Sequence, residues 1–149
     1  MTEIERKFLV KFKEIPEFSN SFEIIQGYLV KNEKGTVRIR IETELLGQPK
    51  AYLMSKTKID DMTNDETVDE ITVHNALELI EKFCVKVIKK CRYIIMVGEK
   101  KWEIDFFKEP NNGLVLAEIE LNSADEQFQI PDWVEREVTG ESAYYNANM

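Results

Sequence analysis

The sequence predicts a mainly β fold, an antiparallel sheet or barrel with one strong helix, on three observations. Eight short segments alternate apolar and polar residues, the period of two that is typical of strands. Turn residues such as Gly35 and Gly113 separate several of these segments, which favours strands joined by hairpins. Only residues 75–84 repeat apolar side chains at a clear helical spacing. We expect a single domain over residues 1–149.

The first strand is predicted over residues 2–10. Alternation places Glu3, Glu5 and Lys7 on one face of it. Two carboxylates can hold a hard divalent cation, and the ammonium group beside them can pair an anion. Taken alone, this face is more typical of an edge strand with a solvated, salt-bridged surface.

The next four strands follow from the same alternation. They are predicted over residues 22–30, 36–43, 51–58 and 66–73, with loops over 11–20 and 59–65. Turns at residues 32–35 and 46–49 connect the second, third and fourth strands. Charged side chains occupy the polar faces of the last three strands in pairs, namely Arg38 and Arg40, Lys56 and Lys58, and Glu66 and Glu70.

The helix over residues 75–84 has a start signal as well as an apolar face. Asn75 can cap its first turn, and Glu78 three residues later completes a capping box. The apolar residues that recur at helical spacing are Ala76, Leu77, Ile80, Phe83 and Cys84. The helix is therefore expected to pack one face against the sheet.

Three further strands complete the predicted set, over residues 85–97, 101–107 and 114–121. Their polar faces carry Lys90 with Arg92, Glu103 with Asp105, and Glu118 with Glu120. Ser123 and Glu126 form a second capping box, which predicts a short helix after the last strand. A short extended piece is predicted at residues 137–139, followed by a tyrosine-rich C-terminal end.

Charge is sorted strand by strand, so that some polar faces are basic and others acidic. Such sorting is expected if the faces converge on a polyanion that is held together with metal ions. A sheet with one solvated polar face also carries charge, so this purely structural interpretation stays open at this point.

Composition excludes several other classes of function. A net charge of −8 and a pI near 4.8 argue against a nucleic-acid partner, because phosphate backbones attract basic surfaces. No apolar run approaches the ~20 residues of a membrane helix, so no membrane partner is expected. No basic-then-apolar leader opens the chain, which predicts a cytoplasmic protein with Cys84 and Cys91 reduced.

Motifs along almost the whole chain resemble one known family. The chain opens with E-x-E-x-K in EIERKFLV, and QGYL at 26–29, VRIR at 37–40 and AYLMSK at 51–56 follow in order. IKKCR at 88–92, GLVLAEIEL at 113–121 and PDWVEREVTG at 131–140 come next. In this combination the chain resembles the CYTH superfamily, the triphosphate tunnel metalloenzymes, and most of all its short bacterial branch.

The resemblance implies a closed eight-stranded antiparallel β-barrel, with charged side chains in its lumen and helices packed outside. It implies a triphosphate-containing small molecule as partner and Mg²⁺ or Mn²⁺ as cofactor. Residue by residue, the implied phosphate-binding set is Lys7, Arg38, Arg40, Lys56, Lys90 and Arg92. The implied metal ligands are Glu3, Glu5, Asp105, Glu118 and Glu120, and the candidates beside the reacting phosphoryl group are Lys7, Glu66 and Glu70.

The chain departs from the family pattern at three positions. Asn64 and Val68 stand where many relatives carry an arginine and a glutamate, and Met54 replaces a frequent threonine. Glu70 lies on the same strand face as Val68 and is the candidate replacement for the missing carboxylate. These departures concern the strength of catalysis, the number of metal ions and the choice of substrate.

The activity that the resemblance implies is metal-dependent hydrolysis of inorganic triphosphate at its terminal phosphoryl group. The alternatives within the same fold are a class IV adenylyl cyclase, a thiamine triphosphatase and a non-catalytic polyphosphate- or nucleotide-binding module. The sequence is also compatible with a homodimer through an uncovered apolar strand face and does not determine it.

Overall fold

A computed structural model of the chain describes residues 1–11, 16–108 and 111–149. Its elements in chain order are β1 (Thr2–Val10), β2 (Asn20–Asn32), β3 (Gly35–Glu44), β4 (Pro49–Lys58), β5 (Thr63–Ile71), α1 (Val73–Phe83), β6 (Val87–Val97), β7 (Lys100–Phe107), β8 (Val115–Leu121) and β9 (Val134–Glu137). Two short 3₁₀ turns, Ser142–Tyr144 and Asn146–Asn148, end the chain. No helix of the described residues is both long enough and apolar enough to span a membrane.

Eight of the strands form a closed antiparallel barrel. The hydrogen-bonded order is β5-β4-β3-β2-β6-β7-β8-β1, and β1 pairs with β5 to close it. The closing seam is short and runs from Thr2 opposite Asp65 to Ile4 opposite Thr63. Farther along β1, the same edge of the strand pairs with β9 instead of β5. The predicted mainly β fold, and the closed barrel that the resemblance implied, are confirmed.

The register decides which side chains meet inside the barrel. Directly opposed residues of antiparallel strands point to the same side of the sheet. On β1 and β8, Lys7 lies opposite Glu118 and Glu5 lies opposite Glu120. The charged faces that alternation predicted on separate strands therefore share one interior.

The largest apolar cluster lies outside the barrel wall, on β1, β7 and β8. Trp102 is fully buried at its centre, with ring centroids 5.4 Å from Phe8, 5.8 Å from Phe128 and 5.2 Å from Trp133. Phe128 and Trp133 belong to the connection between β8 and β9, which crosses this face and shields it from water. The burial of these large rings stabilises the β7–β8–β1 side of the barrel.

Helix α1 covers a second apolar face, formed by β2, β3 and β4. Ala76 is fully buried against Ile39, Ile41 and Ala51. A Cβ atom at Gly27 would lie 2.7 Å from the Cys84 thiol sulfur, so the end of the helix can approach β2 because residue 27 has no side chain.

The start of α1 differs from the prediction. The cap is Thr72, whose hydroxyl oxygen accepts a hydrogen bond from the Asn75 N–H at 3.0 Å. The helix therefore begins at Val73, and Asn75 lies in its first turn. The predicted fifth strand over 66–73 is too long at this end, because the strand itself ends at Ile71 and the threonine after it belongs to the helix cap.

The predicted short helix at Ser123 is absent from the described residues of the β8–β9 connection. The Glu126 carboxylate accepts from the Asn122 N–H at 2.7 Å and also pairs with Lys100, while the Ser123 hydroxyl donates to Asp125. These side-chain contacts satisfy the groups that would start a helix and leave only a turn.

Two predicted loops are shorter in the structure than in the prediction. Residues 59–65 are not all loop, because Asp60 accepts from the N–H groups of Met62 and Thr63 and closes a tight turn, after which β5 begins at Thr63. In the predicted loop over 11–20, residues 12–15 lie outside the described residues, and β2 already begins at Asn20.

Candidate active site

A cavity of about 600 Å³ occupies the interior of the barrel and is lined by side chains of all eight barrel strands. All of the sequence-predicted site residues except Asp105 and Glu70 line it. They are Glu3, Glu5, Lys7, Arg38, Arg40, Lys56, Glu66, Lys90, Arg92, Glu118 and Glu120. The strands thus bring together most of the residues that were predicted for phosphate and metal binding.

One side of the cavity holds an acidic cluster, which we define as Glu3, Glu5 and Glu118 with Lys56 among them. Lys56 Nζ lies 2.7 Å from Glu3 Oε1 and 3.1 Å from Glu5 Oε1. Glu3 and Glu5 share a face of β1, Glu118 belongs to neighbouring β8, and Lys56 reaches them from β4. A single ammonium group therefore forms ion pairs with more than one carboxylate.

Electrostatics within the acidic cluster are strongly coupled. Burial and then the nearby Glu118 carboxylate raise the pKa of Glu5 to about 8. The pKa of Glu118 stays well below its usual range despite its burial, because Lys7, Arg92 and Lys56 stabilise the ionised form. The pKa of Lys56 is raised, because Glu5, Glu118 and Glu3 outweigh the opposing effect of burial.

The two arginines of β3 line another side of the cavity. Arg38 Nη2 lies 3.5 Å from Glu66 Oε2, and Arg40 donates through Nε and Nη2 to Gln26 Oε1 at 3.3 and 3.2 Å. No carboxylate of the described residues forms an ion pair with Arg40. Burial, together with Arg38 and Arg92, lowers the pKa of Arg40 to about 10. This guanidinium group is suited to receive an anion.

A second cluster lies in the barrel wall where β6 meets β7, and we define this buried cluster as Lys90, Arg92 and Asp105. Asp105 Oδ1 accepts from Arg92 Nε at 2.7 Å, and its Oδ2 accepts from Arg92 Nη2 at 2.9 Å and pairs with Lys90 Nζ at 2.8 Å. Arg92 also pairs with Glu103. Lys90 and Asp105 are almost completely buried.

The buried cluster changes the interpretation of Asp105. Its burial would raise the carboxyl pKa, but Arg92 and Lys90 hold that pKa at about 2. Both carboxylate oxygens already bind these cations, and Asp105 does not line the cavity. The structure therefore places Asp105 behind the basic side chains as their counter-ion, away from the position expected of a metal ligand.

Burial disfavours the charged amine of Lys90 as it does that of Lys56, but here the net pKa shift is downward. Burial lowers the pKa of Lys90 to about 7, with Asp105 opposing the change and Arg92 and Arg40 adding to it. This amine with a lowered pKa lines the cavity.

Sequence reasoning missed a set of polar residues at the cavity. Gln26 is buried and donates to the Tyr28 hydroxyl at 3.0 Å and to Asn146 Oδ1 at 3.1 Å. The side chains of Gln26 and Tyr28 follow the alternation of β2 and could have been found from it. Tyr145 and Asn146 also line the cavity, but they come from the irregular C-terminal segment (residues 142–149), where no periodic pattern points to them.

The fifth strand contributes less than expected. Glu66 lines the cavity, but Glu70 and Val68 are exposed and do not. The prediction that Glu70 replaces a missing carboxylate is therefore not supported by its place in the structure. Of the departures noted in the sequence, Asn64 and Met54 lie in the cavity wall, and Val68 lies outside it.

The donor set of the acidic cluster fits a hard divalent cation. Within residues 1–11, 16–108 and 111–149, no three Asp, Glu, His or Cys side chains already converge as a ligand set. Glu3, Glu5 and Glu118 nevertheless offer the carboxylate oxygens that Mg²⁺ and Mn²⁺ prefer. A cation among them would also relieve the repulsion between Glu5 and Glu118 that contributes to the raised pKa of Glu5.

Comparisons with known proteins agree with this geometry. A protein named inorganic triphosphatase from Acetivibrio thermocellus is 37% identical over 148 residues, which cover 99% of this chain and 92% of the relative. Another of the same name, from Nitrosomonas europaea, is 31% identical over 149 residues and covers 98% and 95% of the two chains. A crystal structure of an inorganic triphosphatase superposes with a TM-score of 0.68 at 27% identity, over 99% of this chain and 93% of that one.

A family model gives the most direct assignment, because it spans nearly the whole chain. The CYTH domain model matches residues 1–148. This match covers all eight barrel strands and all but the last residue of the C-terminal segment, and so it includes every residue of the cavity. The chain belongs to the CYTH domain family.

Proposed function

We propose that the protein is a metal-dependent triphosphatase that hydrolyses inorganic triphosphate at its terminal phosphoryl group, inside the barrel. One observation carries the proposal: the same cavity is lined by a group of basic side chains and by a group of carboxylates. The cations are Lys7, Arg38, Arg40, Lys56, Lys90 and Arg92, and the carboxylates are Glu3, Glu5 and Glu118. The names of the two relatives support the same activity.

The basic side chains account for substrate binding. A linear triphosphate is a row of anionic oxygens, which arginine binds with a planar fork of donors and lysine binds as a point charge. Arg40 is free of carboxylate partners among the described residues, and Arg38 has only a long contact to Glu66. Both can exchange their present contacts for phosphate oxygens.

The carboxylates account for metal dependence. Glu3, Glu5 and Glu118 would hold the ion, with Glu120 at the exposed edge of the same cavity wall. A bound Mg²⁺ or Mn²⁺ neutralises charge on the phosphate oxygens as the phosphoryl group is transferred. We propose no role for Asp105 as a ligand, because its oxygens already bind Lys90 and Arg92.

The chain also offers a group that can accept a proton from the attacking water. A neutral lysine amine has two N–H bonds and one lone pair. Lys90 Nζ has two acceptors at 2.8 Å, Asp105 Oδ2 and Asn146 Oδ1, which can take both N–H bonds. The lone pair is then available toward the cavity, and the pKa of about 7 allows the amine to be neutral at physiological pH.

The first test is phosphate release from tripolyphosphate with Mg²⁺, with Mn²⁺ and with EDTA, beside ATP at equal concentration. We expect metal-dependent release that favours tripolyphosphate and is lost in Glu5→Gln, and the two metal series decide between the ions. Conversion of ATP with release of pyrophosphate would instead identify a cyclase. Tripolyphosphate binding without turnover would identify a binding module.

The remaining sequence-based expectations stay predictions. They are the cytoplasmic location, the absence of nucleic-acid partners and the homodimer. Size-exclusion chromatography with light scattering, with and without tripolyphosphate, measures the oligomeric state directly.

A further inference from the structure

We propose that the C-terminal segment forms one wall of the anion site and that Asn146 is a positioning residue, which aims Lys90 and Gln26 at the bound phosphate chain. The proposal rests on the proposed function and adds to it a part of the chain that carries none of the predicted phosphate or metal contacts. Four observations support it: the contacts of the segment, the geometry at Lys90, the link to Arg40 and the anchoring of the segment.

The C-terminal segment presents oxygen atoms to three lysines on the cavity side. Lys7 Nζ donates to the Tyr144 carbonyl oxygen at 3.2 Å, and Lys58 Nζ donates to the Tyr145 hydroxyl at 2.8 Å. Lys90 Nζ donates to Asn146 Oδ1 at 2.8 Å. Three successive residues of the segment thus each contact a lysine from a different barrel strand, β1, β4 and β6.

Asn146 and Asp105 together fix the direction of Lys90. Both acceptor oxygens lie 2.8 Å from Lys90 Nζ. A tetrahedral amine with two positions held in this way has one remaining position toward the cavity. That position carries an N–H for a phosphate oxygen when the amine is charged, and a lone pair when it is neutral. The geometric role of Asn146 is therefore the same in either state.

The same oxygen of Asn146 also orients a second group. Gln26 Nε2 donates to Asn146 Oδ1 at 3.1 Å. This contact turns the other end of the amide toward Arg40, so that Gln26 Oε1 accepts hydrogen bonds from the guanidinium group at 3.2 and 3.3 Å. Gln26 is almost fully buried, so its amide has no solvent to replace a lost partner. Loss of the Asn146 acceptor is thus expected to loosen Lys90 and Gln26, and through Gln26 also Arg40.

The segment is anchored firmly enough to act as a wall. Tyr144 and Met149 pack against the apolar cluster around Phe107, Leu116 and Val138. Asn148 Nδ2 donates to the Ser142 carbonyl oxygen at 2.8 Å and holds the turn in shape. The Met149 side chain belongs to this apolar packing and does not line the cavity, so the anchoring of the segment can be altered at Met149 without removing its polar contacts to the lysines.

The test compares three variants of the full-length protein. Asn146→Ala removes the acceptor for Lys90 and Gln26. Asn146→Asp has the same shape and keeps an acceptor oxygen, but it places a negative charge at the wall. Met149→Ala removes an apolar anchor of the segment that does not line the cavity, and it serves as the matched control for a loosened segment. The readouts are kcat and KM with tripolyphosphate, tripolyphosphate affinity by calorimetry in EDTA, and the melting temperature.

For Asn146→Ala we expect kcat to fall about tenfold or more, with a melting temperature no lower than that of Met149→Ala. For Asn146→Asp we expect an unchanged or higher melting temperature and a tripolyphosphate affinity at least about tenfold weaker, because the carboxylate repels the anion. Met149→Ala is expected to keep kcat within about twofold of the wild type.

Equal losses of kcat in Asn146→Ala and Met149→Ala would overturn the positioning role, since loosening alone would explain both. If Asn146→Asp bound tripolyphosphate as tightly as the wild type, the proposal that the segment forms a wall of the anion site would be overturned. If the wild type binds tripolyphosphate without hydrolysing it, the proposed function fails. The tripolyphosphate affinity of Asn146→Asp then still tests whether the C-terminal segment forms a wall of the anion site. If the wild type does not bind tripolyphosphate at all, both proposals fail.

Discussion

The acidic cluster and the buried cluster both combine carboxylates with basic side chains, yet the pKa values of their lysines shift in opposite directions. In the acidic cluster, Glu5, Glu118 and Glu3 raise the pKa of Lys56 although burial opposes them. In the buried cluster, Lys90 shares the carboxylate of Asp105 with Arg92, and its pKa falls to about 7. Burial disfavours the charged lysine in both clusters, so the balance of nearby carboxylates and cations decides the direction of the pKa shift.

The same balance of charge is the basis for the ligand that we propose for each cluster. In the acidic cluster three carboxylates face Lys56, and Glu118 also pairs with Lys7 at 3.5 Å, so carboxylates remain in excess, which suits a divalent cation. In the buried cluster Lys90 and Arg92 share Asp105, and Arg92 also pairs with Glu103, so an anion would compete with Glu103 for this arginine. Because both clusters contribute side chains to one cavity, a phosphate chain that carries metal ions can contact both at once.

The buried cluster is expected to show the largest effect of a single change. Asp105→Asn leaves Lys90 buried without its carboxylate partner and leaves Arg92 with Glu103 alone, and we expect the free energy of unfolding to fall by about 3–5 kcal/mol. Urea denaturation measures it. Glu103→Gln is the control, because Glu103 pairs with the same arginine at a more exposed position and should cost about 1 kcal/mol or less. Equal costs would contradict the role of Asp105 as the buried counter-ion.

Removal of the lysine from the acidic cluster tests the other half of the comparison. For Lys56→Met we expect kcat/KM with tripolyphosphate to fall about 100-fold or more, because the cation faces both the carboxylates and the phosphate chain. Lys50→Met is the matched control on the same strand face, because Lys50 is exposed and does not line the cavity. A comparable loss in the control would show that the acidic cluster has no special role for its lysine.

The pH dependence of stability sharpens the comparison without any ligand. The pKa of Glu5 is about 8 in the folded protein and 4.5 in its ordinary state, so the folded state binds the additional proton. This contribution to stability is fully present below pH 4.5 and is lost as the pH rises through 8. In EDTA, the wild type should therefore lose stability between pH 5 and pH 7 by at most about 1.4 kcal/mol per pH unit relative to Glu5→Gln. If the stability of the wild type and that of Glu5→Gln changed with pH in the same way, a raised pKa of Glu5 would be excluded.

The fifth strand supplies the smallest contrast. Glu66 lines the cavity beside Arg38, whereas Glu70 is exposed outside it. We expect Glu66→Gln to lower kcat/KM about tenfold and Glu70→Gln to change it less than about twofold. Steady-state kinetics with tripolyphosphate compares them. A large loss in Glu70→Gln would restore Glu70 as the replacement carboxylate that the sequence suggested.

Alternation along single strands is enough to identify most of the charged residues of the cavity. Glu3, Glu5 and Lys7 are spaced so that they must share a face of β1, and Arg38 with Arg40 must share a face of β3. The same alternation predicts the face of Asp105 correctly, but it does not predict its role. The depth of Asp105, and its contact with both Lys90 and Arg92, depend on how β6 and β7 pair.

Side-chain direction in a strand is a local property, since it repeats every two residues whatever the strand packs against. Local sequence is therefore enough to say which charged residues share a face. Closure of the barrel depends on contacts between distant strands, such as the three residue pairs that join β1 to β5. Tertiary contacts of this kind turn the charged faces into one interior, leave Glu70 outside it and bring Asn146 against Lys90. No local pattern encodes these three placements, because they depend on packing between parts of the chain that are distant in sequence.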